Sequence, residues 1–273
     1  MGDGAAKGDA RGLVRPSQAR DAFGLDRFAP PPPLDRHVDR FWRTEWHLSA
    51  PFVQSIVTFP VVNLVVQSDG SAVVSGVQRH NDERRLEGDG WALGAMFRPA
   101  GFRPFAAAAM STYVDARLPA SEVLGTGFDE IVERVVAAEG APAAVAAMAD
   151  FLLARAPSEP AVGEELSTLI ETAVAEDPPV TRVDELARRF GVSVRSLQRL
   201  FAEHVGVSPK VVLHRYRVQA AGEAARDPAR SWTDEAQRLG YADQAHLTVD
   251  VSRHFGAPPA TYARGESAAE NDD

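Results

Sequence analysis

The chain has 273 residues, with 29 lysines and arginines against 38 aspartates and glutamates, and its net charge at pH 7 is −9. This length allows two domains, each large enough to bury a core of its own. The chain contains no cysteine, which excludes disulfide bonds, thiol catalysis and zinc fingers, and its acidic balance is unusual for a protein that binds nucleic acid.

Residues 1–33 are predicted to be a disordered N-terminal segment, because they are rich in Gly, Ala, Asp and Arg and end in the four prolines Pro30 to Pro33. Residues 1–30 lack the apolar run of a secretory signal. Nothing elsewhere approaches the ~20 apolar residues of a membrane span. The sequence therefore predicts a cytoplasmic protein without a membrane partner. The polar, acidic tail of residues 265–273 is also predicted to be disordered.

Residues 34–156 are predicted to form a β-rich domain with helices at its C-terminal end. Within residues 38–105, short segments enriched in Val, Phe, Trp and Thr are separated by Ser68-Asp-Gly70 and Glu87-Gly-Asp-Gly90, which are typical of turns between strands. This pattern predicts a small barrel or sandwich. Residues 123–154 are rich in Ala and Val at helical spacing, which predicts two or three helices.

Two arginines among aromatic residues, Arg98 and Arg103, are candidate ligand-binding residues of this β-rich domain. Five residues apart within the run 97–105, they could hold a carboxylate or phosphate group beside an apolar pocket. The alternative is that both are surface arginines that flank a structural turn in which Gly101 has a positive φ. The sequence leaves both interpretations open.

Trp42 is a third candidate ligand-binding residue, because in a strand Trp42 and Trp46 would share one face, where a pocket wall would lie. The alternative is that the four tryptophans are core residues. The seven histidines show no metal-ligand spacing, no serine lies in a Gly-x-Ser-x-Gly elbow, and no Gly-rich phosphate loop occurs. The sequence therefore predicts no cofactor, no metal site and no catalytic residue.

Between residues 182 and 262 the sequence contains one pattern twice, and each copy predicts a short helix, a glycine-centred turn and a second helix. In the first copy, Leu186, Ala187 and Phe190 form an apolar stripe, Gly191 allows a tight turn, and Ser193 can cap the next helix. This arrangement predicts a helix-turn-helix. A single match is weak evidence, whereas two in tandem are much stronger.

The second helix of each copy would present polar side chains outward. In the first copy, Arg195, Gln198 and Arg199 lie opposite the inward stripe, and arginine and glutamine are side chains that read base edges in the major groove. In the second copy, Asp243 is the predicted cap. The candidate DNA-binding residues are Ser193, Arg195, Ser196, Gln198, Arg199, Gln244, His246 and Thr248.

A long helix is predicted between the two copies, starting at the Ser208 cap with Pro209 at its first position and ending before Asp227-Pro228. About eighteen residues at 1.5 Å each give roughly 27 Å, comparable with the ~34 Å between successive major-groove faces on one side of B-DNA. Such a helix could hold two DNA-reading units in register.

The whole region, residues 160–264, resembles the DNA-binding domain of the AraC/XylS family of bacterial transcription regulators. The motifs that carry the resemblance cover about eighty residues: Gly191-x-Ser193, Leu197-x-Arg199-x-Phe201, Gly206-x-Ser208-Pro209, Leu239-Gly-Tyr-Ala-Asp-Gln-Ala-His-Leu-Thr248 and Arg253-x-Phe255-Gly256-x-Pro258-x-x-Tyr262. The resemblance implies that the first recognition helix does most of the base reading. The second copy departs from the family pattern, because Val249 stands where many members carry an arginine and Val251 where they carry an aromatic residue.

The run 97–105, together with Val62-Asn-Leu-Val65 and Arg85-Leu-Glu-Gly88, resembles an uncharacterised β-rich domain found ahead of AraC-type DNA-binding domains in actinobacterial regulators. This resemblance implies a sensor or dimerisation role and names no ligand.

The charges of the chain are divided unequally between the region that resembles a DNA-binding domain and the rest. Residues 180–264 hold 13 basic and 9 acidic side chains, a net of +4, whereas the rest of the chain has a net of −13.

The fold class predicted is α+β, with a β-rich N-terminal domain and an all-α C-terminal domain of two helix-turn-helix units. The leading hypothesis is a transcription regulator, not an enzyme, that binds promoter or operator DNA. Its further predicted partners are a small-molecule effector, a second copy of the chain and, for an activator, RNA polymerase. The alternative hypothesis is an enzyme or carrier β-domain that the C-terminal part anchors to DNA.

Overall fold

The computed structural model describes residues 13–14, 19, 22–125, 127–159, 162–176, 179–225 and 230–261. Its strands are β1 Phe23–Phe28, β2 Val38–Ile56, β3 Asn63–Gln67, β4 Ala72–Ser75, β5 Asp82–Phe97 and β6 Arg117–Pro119. They form one antiparallel sheet in the order β1-β2-β5-β3-β4-β6. Three helices follow the sheet: α1 Ala120–Leu124, α2 Gly127–Val136 and α3 Ala141–Leu153. The predicted β-rich domain with C-terminal helices is confirmed, and we call it the sheet domain.

One predicted turn was right and the other was wrong. Residues 68–70 connect β3 to β4, with φ +82° at Gly70 and its N–H donating to the carbonyl of Gln67. Residues 87–90 instead lie inside β5. There β2 carries extra residues between Leu48 and Phe52, and the pairing with β5 resumes on both sides of this irregularity. The glycines accommodate a bend in two long paired strands, with φ +56° at Gly88.

The predicted disordered segment was wrong for residues 23–28, which form the edge strand β1. Its Phe23 is buried with Trp46 and Ala92, and the whole strand pairs with β2. Leu25, two positions along the same face, is half-buried against the same cluster, so the strand gains packing that a disordered segment lacks. The prediction was also wrong for Leu13, which forms a β-bridge with Ile56, and for Ala19, which is buried. The predictions of disorder for residues 1–12, 15–18 and 20–21 and for the tail 265–273 concern positions outside the described residues.

The two faces of the sheet have different neighbours. Residues such as Phe41, Leu64 and Leu93 are fully buried in the core that also contains Phe128 of α2 and Phe151 of α3. The alternate residues of the same strands line a cavity on the opposite face. We call it the sheet cavity. Residues from both ends of β5 line it, which requires the long strands to curl around it.

The C-terminal part is entirely helical within the described residues. Its helices are α4 Val162–Ala175, α5 Val183–Arg189, α6 Val194–His204, α7 Pro209–Ala224, α8 Trp232–Arg238 and α9 Gln244–Phe255. The first copy is α5 and α6, and the second copy is α8 and α9. The linker helix α7 spans 16 residues, and it ends slightly before the predicted position.

The two copies are packed differently against the sheet domain. The first copy contributes Leu186, Leu197 and Phe201 to the same continuous core as the sheet and α1–α3. The second copy has a separate core, in which Leu247 and Phe255 surround residues of α7, and Val57 of the sheet domain is buried in it. The sheet domain therefore contacts both copies.

Candidate nucleic-acid interface

Helix α6 is built as the sequence predicted. The Ser193 hydroxyl accepts a hydrogen bond from the backbone N–H of Ser196 at 3.1 Å, which satisfies one of the free donors at the helix start. Leu197 and Phe201 are fully buried, and Gly191 has φ +69° in the turn. These contacts fix which face of α6 points outward.

The outward face of α6 carries the three predicted base-reading residues. Arg195, Gln198 and Arg199 are all exposed, and Ser196 is half-buried beside the Ser193 cap. No ion pair within the described part of the chain occupies Arg195 or Arg199. Their guanidinium groups are available to an external anion or base edge. Contact with DNA stays a prediction for all four residues.

Helix α9 presents a different surface. Asp243 caps it, with its carboxylate accepting from the backbone N–H of His246 at 2.8 Å. Gln244 and His246 are exposed and Thr248 is half-buried, but the side-chain carbonyl of Gln244 accepts from the Thr233 hydroxyl at 3.0 Å. The most exposed large apolar side chain here is Val249, at 57%.

A buried polar cluster joins α7 to α9. The carboxylate of Asp250 lies 2.9 Å from Nε2 of His214 and 3.9 Å from the guanidinium of Arg217. Arg217 in turn lies over the Tyr241 ring, 4.2 Å from its centroid. Burial alone would raise the pKa of Asp250, but the hydrogen bond from His214 and the nearby charges of His214 and His254 outweigh it and lower that pKa to about 2.

This cluster was not predicted from the sequence. The signal that could have revealed it is the spacing of His214 and Arg217, which lie one helical turn apart in α7, opposite a lone Asp250 on the inward side of α9. Pairing across the two helices depends on how they pack, which spacing within one helix does not specify. The cluster fixes the second copy to the linker helix.

We expect Asp250→Asn to destabilise the protein at neutral pH by on the order of 2 kcal/mol, with a smaller loss at low pH. The folded-state pKa lies below the usual value of 3.8, so the stabilisation is present above pH ~4 and is lost as pH falls towards ~2. Urea denaturation of both proteins at pH 7 and pH 3 measures the difference. An equal loss at the two pH values would contradict the charged role of Asp250.

The two arginines predicted to bind a ligand do not line the sheet cavity. Arg98 pairs with Glu171 of α4 at 2.5 Å, and Arg103 pairs with Glu203 of α6 at 2.7 Å. Both bridge the sheet domain to the helical part, because each partner lies far away in sequence but close in the fold. The ligand-binding interpretation of Arg98 and Arg103 is therefore replaced by an interdomain one.

The turn beside these arginines also differs from the prediction. The positive φ, +63°, belongs to Ala100 and not to Gly101. Gly101 is needed for another reason, since a Cβ at this position would lie 2.2 Å from the carbonyl oxygen of His37. Close approach of two backbone segments, and not a left-handed conformation, selects glycine here.

Trp42, the third ligand candidate, does line the sheet cavity, together with Trp46. The cavity has a volume of about 270 Å³. The prediction that both tryptophans share one face of a strand is confirmed. Both lie on β2 and are separated by an even number of residues, so their side chains point to the same side of the sheet. Ligand binding by Trp42 stays a prediction.

Across the part of the chain that the structure describes, no helix combines the length and apolar character needed to cross a bilayer.

Comparison with protein-family models separates the same two regions. Residues 186–265 match a helix-turn-helix domain family. Residues 26–119 match a domain family of unknown function, DUF6597. The C-terminal region is an AraC-type helix-turn-helix domain. The N-terminal match agrees with the uncharacterised β-rich domain that the sequence resembled.

Curated relatives match about a third of this chain. The transcriptional activator RhaS of Escherichia coli O139:H28 is 33% identical over 82 residues, which is 30% of this chain and 30% of RhaS. RhaS of Klebsiella pneumoniae is 32% identical over 85 residues, 31% of each chain. The chain thus matches about a third of the length of these relatives.

Solved structures show weaker likeness. An AraC-type transcriptional regulator from Chromobacterium violaceum is 21% identical, with a TM-score of 0.34, covering 38% of this chain and 92% of that one. An apo ToxT variant from Vibrio cholerae is 9% identical, with a TM-score of 0.44, covering 82% of this chain and 97% of that one. Scores of this size do not by themselves establish a common fold.

Proposed function

We propose that the chain is a sequence-specific DNA-binding transcription regulator of the AraC type. The observation that carries this proposal is the exposed polar face of α6, where Arg195, Gln198 and Arg199 stand free beside a capped helix start. A helix-turn-helix reads DNA with the N-terminal residues of its second helix in the major groove. The matching RhaS relatives, described as transcriptional activators, support the proposal.

The two copies have unequal roles in this proposal. The first copy reads bases through Arg195, Gln198 and Arg199, while Ser193 and Ser196 lie at the helix start where backbone N–H groups favour a phosphate. In the second copy, Gln244, His246 and Thr248 contact the DNA backbone and sense its shape. Val249 and Ala245 have no side-chain hydrogen-bonding group, which limits direct reading there.

The sheet domain acts as a sensor or dimerisation domain that controls the two copies. Its acidic residues would oppose phosphate if they faced DNA, since the chain outside residues 180–264 has a net charge of −13. Further partners in this proposal are a small-molecule effector, a second copy of the chain and RNA polymerase, and the location is the cytoplasm. The relatives reported above lend nothing to the alternative of an enzyme or carrier anchored to DNA.

Selection of bound sequences from a random DNA library with the full chain tests this function. We expect one recurring sequence to be enriched, and gel shifts at fixed salt to show binding to it at least about 10³-fold tighter than to random DNA. The control is a triple variant in which Arg195, Gln198 and Arg199 are all replaced by alanine. Enrichment of no sequence, or the same sequence with the triple variant, would contradict the proposal.

We expect Val249→Arg to raise affinity for DNA by about tenfold and to steepen its salt dependence by about one ion, because α9 would gain one phosphate or base contact. Val249→Gln is the matched control, since it removes the same exposed apolar side chain without adding charge. Gel-shift titrations at several salt concentrations measure both quantities. Unchanged affinity in Val249→Arg would mean that this face of α9 does not approach DNA.

A further inference from the structure

The two tryptophans that line the sheet cavity lie over a row of small residues on β5, of which Ala92 also lines the cavity. Gly90, Ala92 and Gly94 pair in register with Trp46, Thr44 and Trp42 of β2. A Cβ on Gly94 would lie 2.1 Å from Cε2 of Trp42, and one on Gly90 would lie 2.6 Å from Cζ2 of Trp46. The indole rings thus occupy the space that side chains of β5 would fill. This complementarity between the two strands makes an aromatic surface in the cavity.

The cavity wall around the two tryptophans is largely apolar. Phe23, Leu25 and Val65 contribute to it. The ring nitrogen of Trp42 donates to Asn63 at 3.4 Å, and that of Trp46 donates to the carbonyl of Glu87 at 3.3 Å. Because both indole N–H groups have partners within the protein, the rings offer a ligand their apolar surfaces. A flat apolar or aromatic group fits such a wall.

The polar part of the lining is electropositive. Four arginines and one carboxylate, Asp82, are among the described residues that line the cavity. Arg40 pairs with Asp39 and Arg85 pairs with Glu87. Asp82, however, is shared by Arg84 at 2.9 Å and by Arg117.

One carboxylate therefore faces two guanidinium groups, which leaves one positive charge in excess beside the cavity. Burial lowers the pKa of Arg84, and Arg117 lowers it further, against the opposing effect of Asp82. A second anion near Arg84 would compensate the excess positive charge and favour the charged form of the guanidinium group. The geometry thus favours a negatively charged group at this end of the cavity.

One wall of the cavity is also a contact surface for the second copy. Residues 57–59 line the cavity, and Val57 is buried in the core of the second copy. The side-chain amide of Gln219 in α7 donates to the carbonyl of Val57 at 2.5 Å. The rings of Phe59 and Tyr216 meet edge-on, 5.9 Å apart. A ligand that touches this wall is separated from α7 by a single segment of chain.

A second wall segment, residues 76–81, repeats this relation. Gly76 and Gln78 line the cavity, Arg215 of α7 donates to the carbonyl of Arg79, and Asn81 donates to the carbonyl of His254 in α9 at 2.5 Å. The Thr58 hydroxyl lies 3.3 Å from the carbonyl of Gln78 and 3.1 Å from that of His80. The two wall segments are therefore linked to each other as well as to the second copy.

We propose that the sheet cavity binds a small aromatic compound carrying one anionic group, and that the bound compound acts on the second copy through residues 57–59 and 76–81. A volume of about 270 Å³ is near the lower limit of ligand pockets, which suits a ligand of one or two rings. The regulatory half of this statement rests on the proposed DNA-binding function, whereas the binding half does not.

Calorimetric titration of the full chain with 2-naphthoate and with its neutral analogue 2-naphthamide tests the ligand class. We expect naphthoate to bind at least about tenfold more tightly than naphthamide, which is the effect of one charged hydrogen bond. Arg84→Gln should abolish this difference. Arg134→Gln, which removes an exposed arginine of α2, should preserve it. Equal binding of the two compounds, or no binding of either, would overturn the proposed ligand class.

Gly94→Ala tests whether the compound enters this cavity. The added Cβ would displace the Trp42 ring, so we expect naphthoate affinity to fall by about tenfold or more. A circular dichroism spectrum identical to that of the parent would show that the variant is folded. Should that variant fail to fold, Trp42→Leu gives the same test by removing ring surface. Unchanged affinity in a folded variant would place the compound elsewhere and refute the proposal.

Hydrogen exchange of the full chain with and without saturating naphthoate tests the route to the second copy. We expect exchange to change in residues 57–59, 76–81 and α7–α9, and to stay constant in α6. Change confined to the sheet strands would refute the route. Gel shifts without any compound test the proposed DNA-binding function separately, so its failure cannot be mistaken for failure of the cavity to bind.

Discussion

Phe201→Ala is expected to lower the free energy of unfolding by about 3 to 5 kcal/mol, the largest effect of any single substitution proposed for this chain. Phe201 is fully buried in the continuous core that joins the first copy to the sheet domain. Removing its ring would leave a cavity at the point where α6 packs against the short helical turn Met110–Tyr113. Because the surrounding core is close-packed, relaxation can fill little of the space.

Urea denaturation followed by tryptophan fluorescence and by far-ultraviolet circular dichroism measures this effect. Val194→Ala is the matched control, since Val194 lies on the same helix but is 38% exposed, and its loss should stay within about 0.5 kcal/mol. Trp42, Trp46 and Trp91 lie in the sheet domain and Trp232 lies in α8, so fluorescence reports mainly on the sheet domain, whereas circular dichroism is dominated by the helices. A loss below about 1 kcal/mol for Phe201→Ala would show that the first copy is not anchored in that core.

The same core explains why the two regions should unfold together. Gly206 follows α6 with φ +99°, and a Cβ on it would lie 2.8 Å from the carbonyl oxygen of Met110. Ser167 of α4 donates to the carbonyl of Pro99. These contacts are as close as those within one domain. We therefore expect the fluorescence and circular dichroism transitions to coincide.

Local signals in the sequence were sufficient to predict the helical repeat. Ser193, Ser208 and Asp243 each cap the helix that was assigned to them. Capping depends on a side chain and a backbone N–H three residues away, so it is written into a short stretch of chain. The inward stripes could be predicted for the same reason, and the exposed face of α6 follows directly from them.

Features that depend on distant residues could not be predicted in this way. Arg98 and Arg103 were candidates either for a ligand site among aromatic residues or for surface positions beside a turn, but their partners Glu171 and Glu203 lie 73 and 100 residues away. Glycines 88 and 90 signalled a turn because glycine has the same local signature in a turn and in a bulge. The extra residues on β2 decide between them, and only the pairing of β2 with β5 shows this.

The sheet cavity depends partly on local sequence and partly on distant residues. Spacing alone indicated that Trp42 and Trp46 share a strand face. Their relation to Gly94 and Gly90 required the register of two strands about fifty residues apart. The contact of the cavity wall with α7 required the packing of both domains. One wall of the cavity could therefore be predicted from the sequence, whereas the contact of that wall with α7 could not.

Arg199→Ala and Gln198→Ala are each expected to weaken binding to the selected DNA sequence by about 1 to 3 kcal/mol, which is about 5-fold to more than 100-fold. Both side chains are exposed on the outward face of α6, where a bidentate hydrogen bond to a guanine or adenine edge would be lost. Binding to random DNA should change far less, because phosphate contacts supply most of that affinity.

Arg188→Ala is the matched control for Arg199→Ala. Arg188 is an exposed arginine on α5, so its removal costs the same unit of charge without altering the predicted base-reading face. Gel shifts at fixed salt with the selected sequence and with random DNA separate the two effects. If only the lost charge mattered, Arg188→Ala and Arg199→Ala would each weaken binding to the selected sequence and to random DNA by the same factor. Base reading by α6 predicts instead that only Arg199→Ala and Gln198→Ala reduce the ratio of specific to random affinity. Were both variants to keep the parent's ratio, the first copy would not be the main reader of sequence, and the second copy would have to supply the specificity despite Val249.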